Sequence, residues 1–265
     1  METYLWSQSL SVTLAKSQFE QVELICDSKS AYYLVEKLGL PFTSVRILLD
    51  DNMYLKHLGK GIFTVPKLIS YSAQKDPFIH IDNDLFLYGK ISEKELNSKF
   101  LVWCLEPYAA MYLRASELLS KYSCMAPVAA VPNTGVFVVN DIEKKDEYCD
   151  TVFNIFDKII EDKQMMEILS EYDVKQELFS VGDILGISIE QLILAINLDK
   201  NSIPLVSMNN NKIISSNEEI AFVGKSIHCF GDRKRLLKEG IRSHAIFRCG
   251  RKYYKKIKEV VNGEC

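Results

Sequence analysis

The chain has 265 residues, 48% of them hydrophobic and 25% charged, with 32 Lys and Arg against 35 Asp and Glu, a formal net charge of −3. Such a composition can bury a core, and it excludes dominant disorder and a collagen-like or low-complexity chain (12 Gly, 7 Pro). Near-neutral charge also argues against a nucleic-acid binder whose whole field is positive.

No run reaches the roughly 18 uninterrupted apolar residues of a spanning helix. Met1 to Leu5 lacks the basic and apolar segments of a signal peptide. Seven cysteines are scattered without a Cys-x-x-Cys pair, which fits thiols in a reducing interior better than a disulfide framework or a zinc site. A soluble, cytoplasmic protein is expected.

In chain order, Gln21 to Cys26 reads as a short buried strand ending at Asp27. Ser28 or Ser30 can then cap a helix over Ala31 to Leu38, stopped by Gly39. Val45 to Leu49 is a second strand, and a helix runs from about Pro66 to Gln74 with the proline in its first turn. Pro77 to Ile81 is an apolar strand that opens directly onto Asp82-Asn83-Asp84. Strands follow at Phe100 to Leu105, Val136 to Val139 and Ile220 to Val223. Helices are expected over Tyr108 to Tyr122, Val152 to Leu169 and Ser188 to Asn197. Short strands, apolar on both faces and alternating with helices, predict one α/β domain over 1–265, its mostly parallel central sheet flanked by helices. The segment 236–265 is a basic extension, packed on the domain or surface-exposed, carrying Arg251, Lys252, Lys255, Lys256 and Lys258 with Tyr253 and Tyr254 interleaved. It reads as the solvated face of a terminal helix, or as a peripheral contact with anionic lipid or a phosphorylated acceptor.

Four segments carry chemistry. An apolar strand that ends in two carboxylates presents them at the carboxyl edge of a sheet, where open α/β folds bind ligands. In extended chain Asp82 and Asp84 point to one side and suit Mg²⁺ or Mn²⁺, although Asp-Asn-Asp is also ordinary turn chemistry. His80 reads as a packed histidine of the strand. Asn133-Thr134-Gly135 precedes a strand, where glycine lets backbone approach a ligand and asparagine offers both donor and acceptor; taken by itself, a plain turn after Pro132 is the better reading. Ser188-Ile189-Glu190-Gln191 matches a capping box and leaves Glu190 in the first helical turn. Finally, in His228-Cys229-Phe230-Gly231-Asp232-Arg233-Lys234 a neutral imidazole can join the aspartates and Lys234 can answer a phosphate; an ordinary polar loop is the alternative.

In this order, D-x-D, N-x-G, an acidic-Gln pair and H-x-x-G-x-x-K resemble glycosyltransferases of the GT-A fold, especially glycosyltransferase family 8. The chain is also similar to an uncharacterised bacterial family of glycosyltransferase-like proteins, through Leu38-Gly39-Leu40-Pro41, Leu58-Gly59-Lys60 and Pro77 to Asp82. The resemblance covers roughly residues 20 to 235. It implies that Asp82, Asp84 and His228 bind Mn²⁺ or Mg²⁺, with Asp82 also contacting donor ribose or sugar. It places Asn133 and Gly135 in a donor-sugar pocket and Glu190 and Gln191 near the reacting carbon. Gly231 and Lys234 would hold the diphosphate, and Lys60 would steady donor or carboxylates. The implied activity is transfer of a sugar from a nucleotide diphosphate, such as a UDP-sugar, to a saccharide or other hydroxyl acceptor, as in surface polysaccharide synthesis.

Two departures stand out. Met1 to Ser11 offers only Tyr4-Leu5-Trp6 toward the family's opening strand, and Glu190 replaces the family-8 aspartate. The shortened start motivates an alternative, a non-catalytic binding protein on the same fold. A sugar-phosphate nucleotidyltransferase is disfavoured because no Gly-rich basic loop follows the first strand, and a dinucleotide oxidoreductase because no G-x-G-x-x-G does.

Overall fold

The computed structural model describes residues 2–170, 180–214, 222–223, 226–228, 238–249 and 251–263. Helix α1 (Glu2–Lys16) opens the chain, followed by β1 (Glu23–Cys26), α2 (Ser28–Ala31) continued by a π-helical turn (Tyr32–Lys37), and β2 (Ser44–Ile47). Next come α3 (Met53–Leu58), α4 (Val65–Ser72), β3 (Phe78–Ile81), β4 (Leu85–Leu87), α5 (Glu93–Leu96) and β5 (Phe100–Pro107). Then follow α6 (Ala110–Leu119), β6 (Ala130–Val139), α7 (Ile142–Glu161), α8 (Lys163–Ser170), α9 (Val181–Lys200) and β7 (Val206–Ser207). Strands β8 (Phe222–Val223) and β9 (Ser226–His228) precede α10 (Lys238–Cys249) and α11 (Arg251–Asn262). The fold is mixed α/β.

The strands form three sheets, β1-β2, β3-β6-β5-β7 and β4-β9-β8. This corrects the expected mostly parallel central sheet. β1–β2 and β5–β7 pair in parallel, whereas β5–β6, β4–β9 and β8–β9 are antiparallel. The sequence pattern misleads because β5 and β6 are apolar on both faces, the usual mark of parallel strands. Here the residues of the long antiparallel ladder are buried on both faces.

The chain divides into two compact units, one of Met1–Asp50, Ile81–Ser92 and Ser216–Cys265, the other of Asp51–His80 and Glu93–Ser215. In the first, the opening segment, expected to offer at most a short strand, is the helix α1. Its Leu5, Trp6, Leu10 and Leu14 share a core with Leu34, Leu38, Phe86, Ile241, Ala245, Tyr253, Ile257 and Val260. The helices of the basic segment pack on the first unit: α10 and α11 supply five of the fourteen buried residues of that core. Asp27, rather than Ser28 or Ser30, caps α2, its carboxylate accepting from the Ser30 amide at 2.6 Å. Gly39 holds φ +65 where the π-helical turn ends, and Lys256 Nζ donates to the Leu38 carbonyl there at 3.1 Å.

In the second unit β5 and β6 form the centre, with Phe100 to Cys104 and Val136 to Val139 buried. Between the pairs Val102↔Phe137 and Cys104↔Asn133, three residues of β6 oppose one of β5. Asn133-Thr134-Gly135 therefore lies inside a strand, at a bulge, and not in a turn before one. The helix expected over 152–169 is two helices, α7 and α8. They part at Asp162, whose carboxylate accepts from the Met165 amide at 3.1 Å. Helix α9 begins earlier than the sequence suggests, at a capping box in which Ser180 and Asp183 bond reciprocally. Among the described residues α9 is the one helix long and apolar enough to cross a bilayer, and 72% of its apolar window is buried within the protein. That burial explains an apolar surface all round.

Candidate metal centre

The first unit brings Asp82, Asp84 and His228 together. Asp82 leaves β3 into a turn closed by the Leu85 amide donating to the Asp82 carbonyl at 3.0 Å. The two carboxylates converge through this turn and not through strand alternation. Leu85 then enters β4, which pairs with β9 in the register Leu85↔His228. A residue 144 positions later in the chain is thus set beside Asp84 by a single antiparallel ladder. His228 Nε2 stands 3.2 Å from Asp84 Oδ1 and 3.7 Å from Asp82 Oδ2. One donor atom from each of the three residues lies within 4.8 Å of the others. Ligands in cis positions about 2.0–2.1 Å from an octahedral cation are separated by about 3 Å, so these distances suit one shared ion. His228 is buried and both carboxylates are half-buried, leaving part of the coordination sphere for water or a ligand. Two carboxylates and one imidazole are a donor set that could hold a divalent metal ion.

Helix α1 fixes the turn from behind. Ser7 Oγ donates to the Asn83 carbonyl at 2.8 Å and Ser11 Oγ to the Asp82 carbonyl at 3.4 Å. Both serines are buried. Their four-residue spacing puts both hydroxyls on one helix face. Burial first of all, and then the charges of Asp27 and Asp84 against an opposing Gln8 hydrogen bond, push the Tyr4 phenol up. Burial, followed by Asp27 and Asp50, raises the Cys26 thiol to about 11.

Other expected site residues lie in the second unit and are engaged with one another. Glu190 is not in a first helical turn: it sits midway along α9 and is 2% exposed. Its Oε1 accepts from Tyr71 Oη at 2.9 Å and Thr134 Oγ1 at 2.5 Å, and lies 2.8 Å from Lys67 Nζ. Lys67 also reaches the Thr134 hydroxyl at 3.2 Å and carbonyl at 3.3 Å, while Tyr148 donates to the Glu190 carbonyl at 2.8 Å. The β6 bulge is what turns Thr134 toward this carboxylate. Asn133 Nδ2 donates to Glu106 Oε1 at 2.6 Å, and its Oδ1 accepts the Gly135 amide at 3.0 Å. Tyr112 lies 2.8 Å from Gln191 Oε1 and 3.2 Å from Glu106 Oε2, sharing its proton between them. Burial first, then Glu106, pushes its phenol well up, which keeps it a donor. Lys60 is exposed in the turn after α3. Gly231 and Lys234 lie outside the described residues.

Lys67, Tyr71, Glu106 and the two serines of α1 went unread in the sequence. Only Ser7 and Ser11 left a signal, the i, i+4 spacing, visible once α1 is known to be helical.

An α/β protein with an Asp-Asp-His cluster that could hold a metal ion is the class that fold and site define. The chain belongs to DUF6734, described as a family of unknown function, whose family model matches residues 1–260. No curated protein matches it, and no solved structure does.

Proposed function

We propose that this protein is a metal-dependent glycosyltransferase of GT-A type that moves a sugar from a nucleotide diphosphate donor, such as a UDP-sugar, to a hydroxyl acceptor. The observation that carries the reading is His228 Nε2 standing 3.2 Å from Asp84, beside Asp82, across 144 residues of sequence. These three side chains would hold Mn²⁺ or Mg²⁺, and the ion, when bound, supplies positive charge to the diphosphate leaving group. Asp82 and Asp84 orient the cation through a turn that α1 keeps rigid. His228, packed on β9, fixes the third ligand direction. Lys234 and the Gly231 backbone are proposed to hold the leaving phosphates.

Glu190 takes a different role in this proposal. Its carboxylate is buried and occupied by Lys67, Tyr71 and Thr134, so we assign it to holding the β6 bulge against α9 rather than to touching substrate. The same burial favours a second reading, a nucleotide-sugar binding protein without transferase chemistry. The two separate in one experiment. Equilibrium binding of UDP and hydrolysis of UDP-glucose and UDP-galactose are measured with and without Mn²⁺. Mn²⁺-dependent binding with turnover supports the transferase, and binding without turnover of either sugar supports the binding protein. Folded protein with no Mn²⁺-dependent affinity for UDP refutes both.

A further inference from the structure

Helices α10 and α11 carry eight Lys and Arg against two Glu, net plus six, so the rest of a chain whose formal charge is −3 carries minus nine. Their inner stripes, Ile241 and Ala245 with Tyr253, Ile257 and Val260, are buried in the first unit's core. At 100° per residue Phe247 falls opposite the stripe of α10, and it is 80% exposed. Its neighbours are cationic. The Arg248 guanidinium lies 5.8 Å from the Phe247 ring and 5.8 Å from that of Tyr88. On the other flank Arg242 lies 5.7 Å from the Tyr254 ring. Lys255, one turn into α11, keeps 85% of its side chain exposed. Two lysines are excluded because they serve the fold: Lys256 bonds the Leu38 carbonyl, and Lys258 pairs with Glu2 at 2.9 Å.

One exposed phenylalanine is ordinary on a protein surface. One at the head of Phe247-Arg248-Cys249-Gly250-Arg251-Lys252, within a local charge opposite to the rest of the chain, asks for a partner offering both apolar depth and negative charge. A duplex nucleic acid offers the charge alone. We infer that this surface docks on an anionic phospholipid bilayer, Phe247 entering the acyl boundary while Arg248 and Lys255 meet the headgroups. This inference is independent of the proposed transferase activity, because its readout involves neither UDP nor a metal ion.

The test is co-sedimentation of the full chain with vesicles of phosphatidylglycerol and phosphatidylcholine in equal parts, compared with phosphatidylcholine alone. Binding is expected on the anionic vesicles only and should weaken as salt rises. Phe247→Ser should weaken it roughly tenfold, from the lost apolar burial. Arg248→Gln and Lys255→Gln should each weaken it about fivefold. Thermal melting of each variant confirms that the fold is kept, as the exposure of these side chains leads us to expect. Absence of vesicle binding overturns the inference. So does binding that Phe247→Ser leaves unchanged and that a DNA duplex displaces, since that result marks a polyanion site without membrane insertion.

Discussion

Replacing Lys67 by methionine leaves the Glu190 carboxylate buried without its cation. Removing one partner of a buried ion pair costs about 3–5 kcal/mol. The Lys67 side chain keeps 14% exposure, and the Tyr71 and Thr134 hydroxyls still hold the carboxylate, so the lower end applies, about 3 kcal/mol. For a protein of this size that is a fall in Tm of about 6–12 °C. Adding Glu190→Gln removes the stranded charge but keeps an acceptor for both hydroxyls, and should restore about half of the loss through the coupling energy of the pair. The assay is urea unfolding at pH 7 followed by circular dichroism, on wild type, both single variants and the double. A Lys67→Met variant within about 0.5 kcal/mol of wild type would refute the reasoning, because it would mean that Glu190 is hydrated. Glu190→Gln that melts like wild type yet abolishes turnover would refute it from the other side, placing the carboxylate on substrate.

Other outcomes follow from individual contacts. Ser7→Ala should weaken Mn²⁺ binding by about tenfold while costing only about 1–2 kcal/mol of stability, since the serine acts on the Asp82–Asp84 turn through the Asn83 carbonyl; isothermal titration and a melt measure the two. Native-state alkylation at pH 8, mapped by mass spectrometry, should label the exposed Cys124 well before the buried Cys26, Cys104 and Cys149. Burial raises the Cys26 thiol to about 11 and the Cys149 thiol to about 12, and pushes Cys104 higher still. Hydrogen bonds from Lys121 first, then from Tyr122 and the Met165 amide, hold the Asp162 carboxyl well below its ordinary value. A depressed carboxyl stabilises the fold above its unfolded value of about 3.9 and loses that contribution as pH falls toward the folded one. Wild type should therefore exceed Asp162→Asn in stability at pH 6, the gap closing as pH drops below about 4; a gap constant with pH would deny the role given to Asp162.

Much of the local structure is legible in the sequence because it rests on short-range signals. Strands β1, β2, β3 and β5 stand within a few residues of the apolar runs that predict them, and Pro66 lies in the first turn of α4 as its fixed φ favours. Asp82, Asp84 and His228 can be picked out because they punctuate strand ends. What joins them is long-range: the Leu85↔His228 register depends on a ladder that no local pattern encodes. Misreadings came from rules that hold locally but lost to a competitor. Ser188 and Gln191 satisfy a capping box, yet Ser180 with Asp183 forms one earlier, and the apolar run between them carries the helix straight through. Asn133-Thr134-Gly135 has turn composition, but a strand with a bulge accommodates it, the Gly135 amide taken by Asn133 itself. The opening segment offers too few apolar residues for a strand because it is a helix, its serines spent on the turn that carries the aspartates.

Direct titration of Mn²⁺ into the metal-free protein, read by its EPR signal, tests most plainly whether Asp82, Asp84 and His228 hold one cation. One saturable site is expected, weakened about a hundredfold or more in each of Asp84→Ala and His228→Ala, with the fold retained. Saturable binding that both variants leave intact, or no saturable site in the folded wild type, would contradict it.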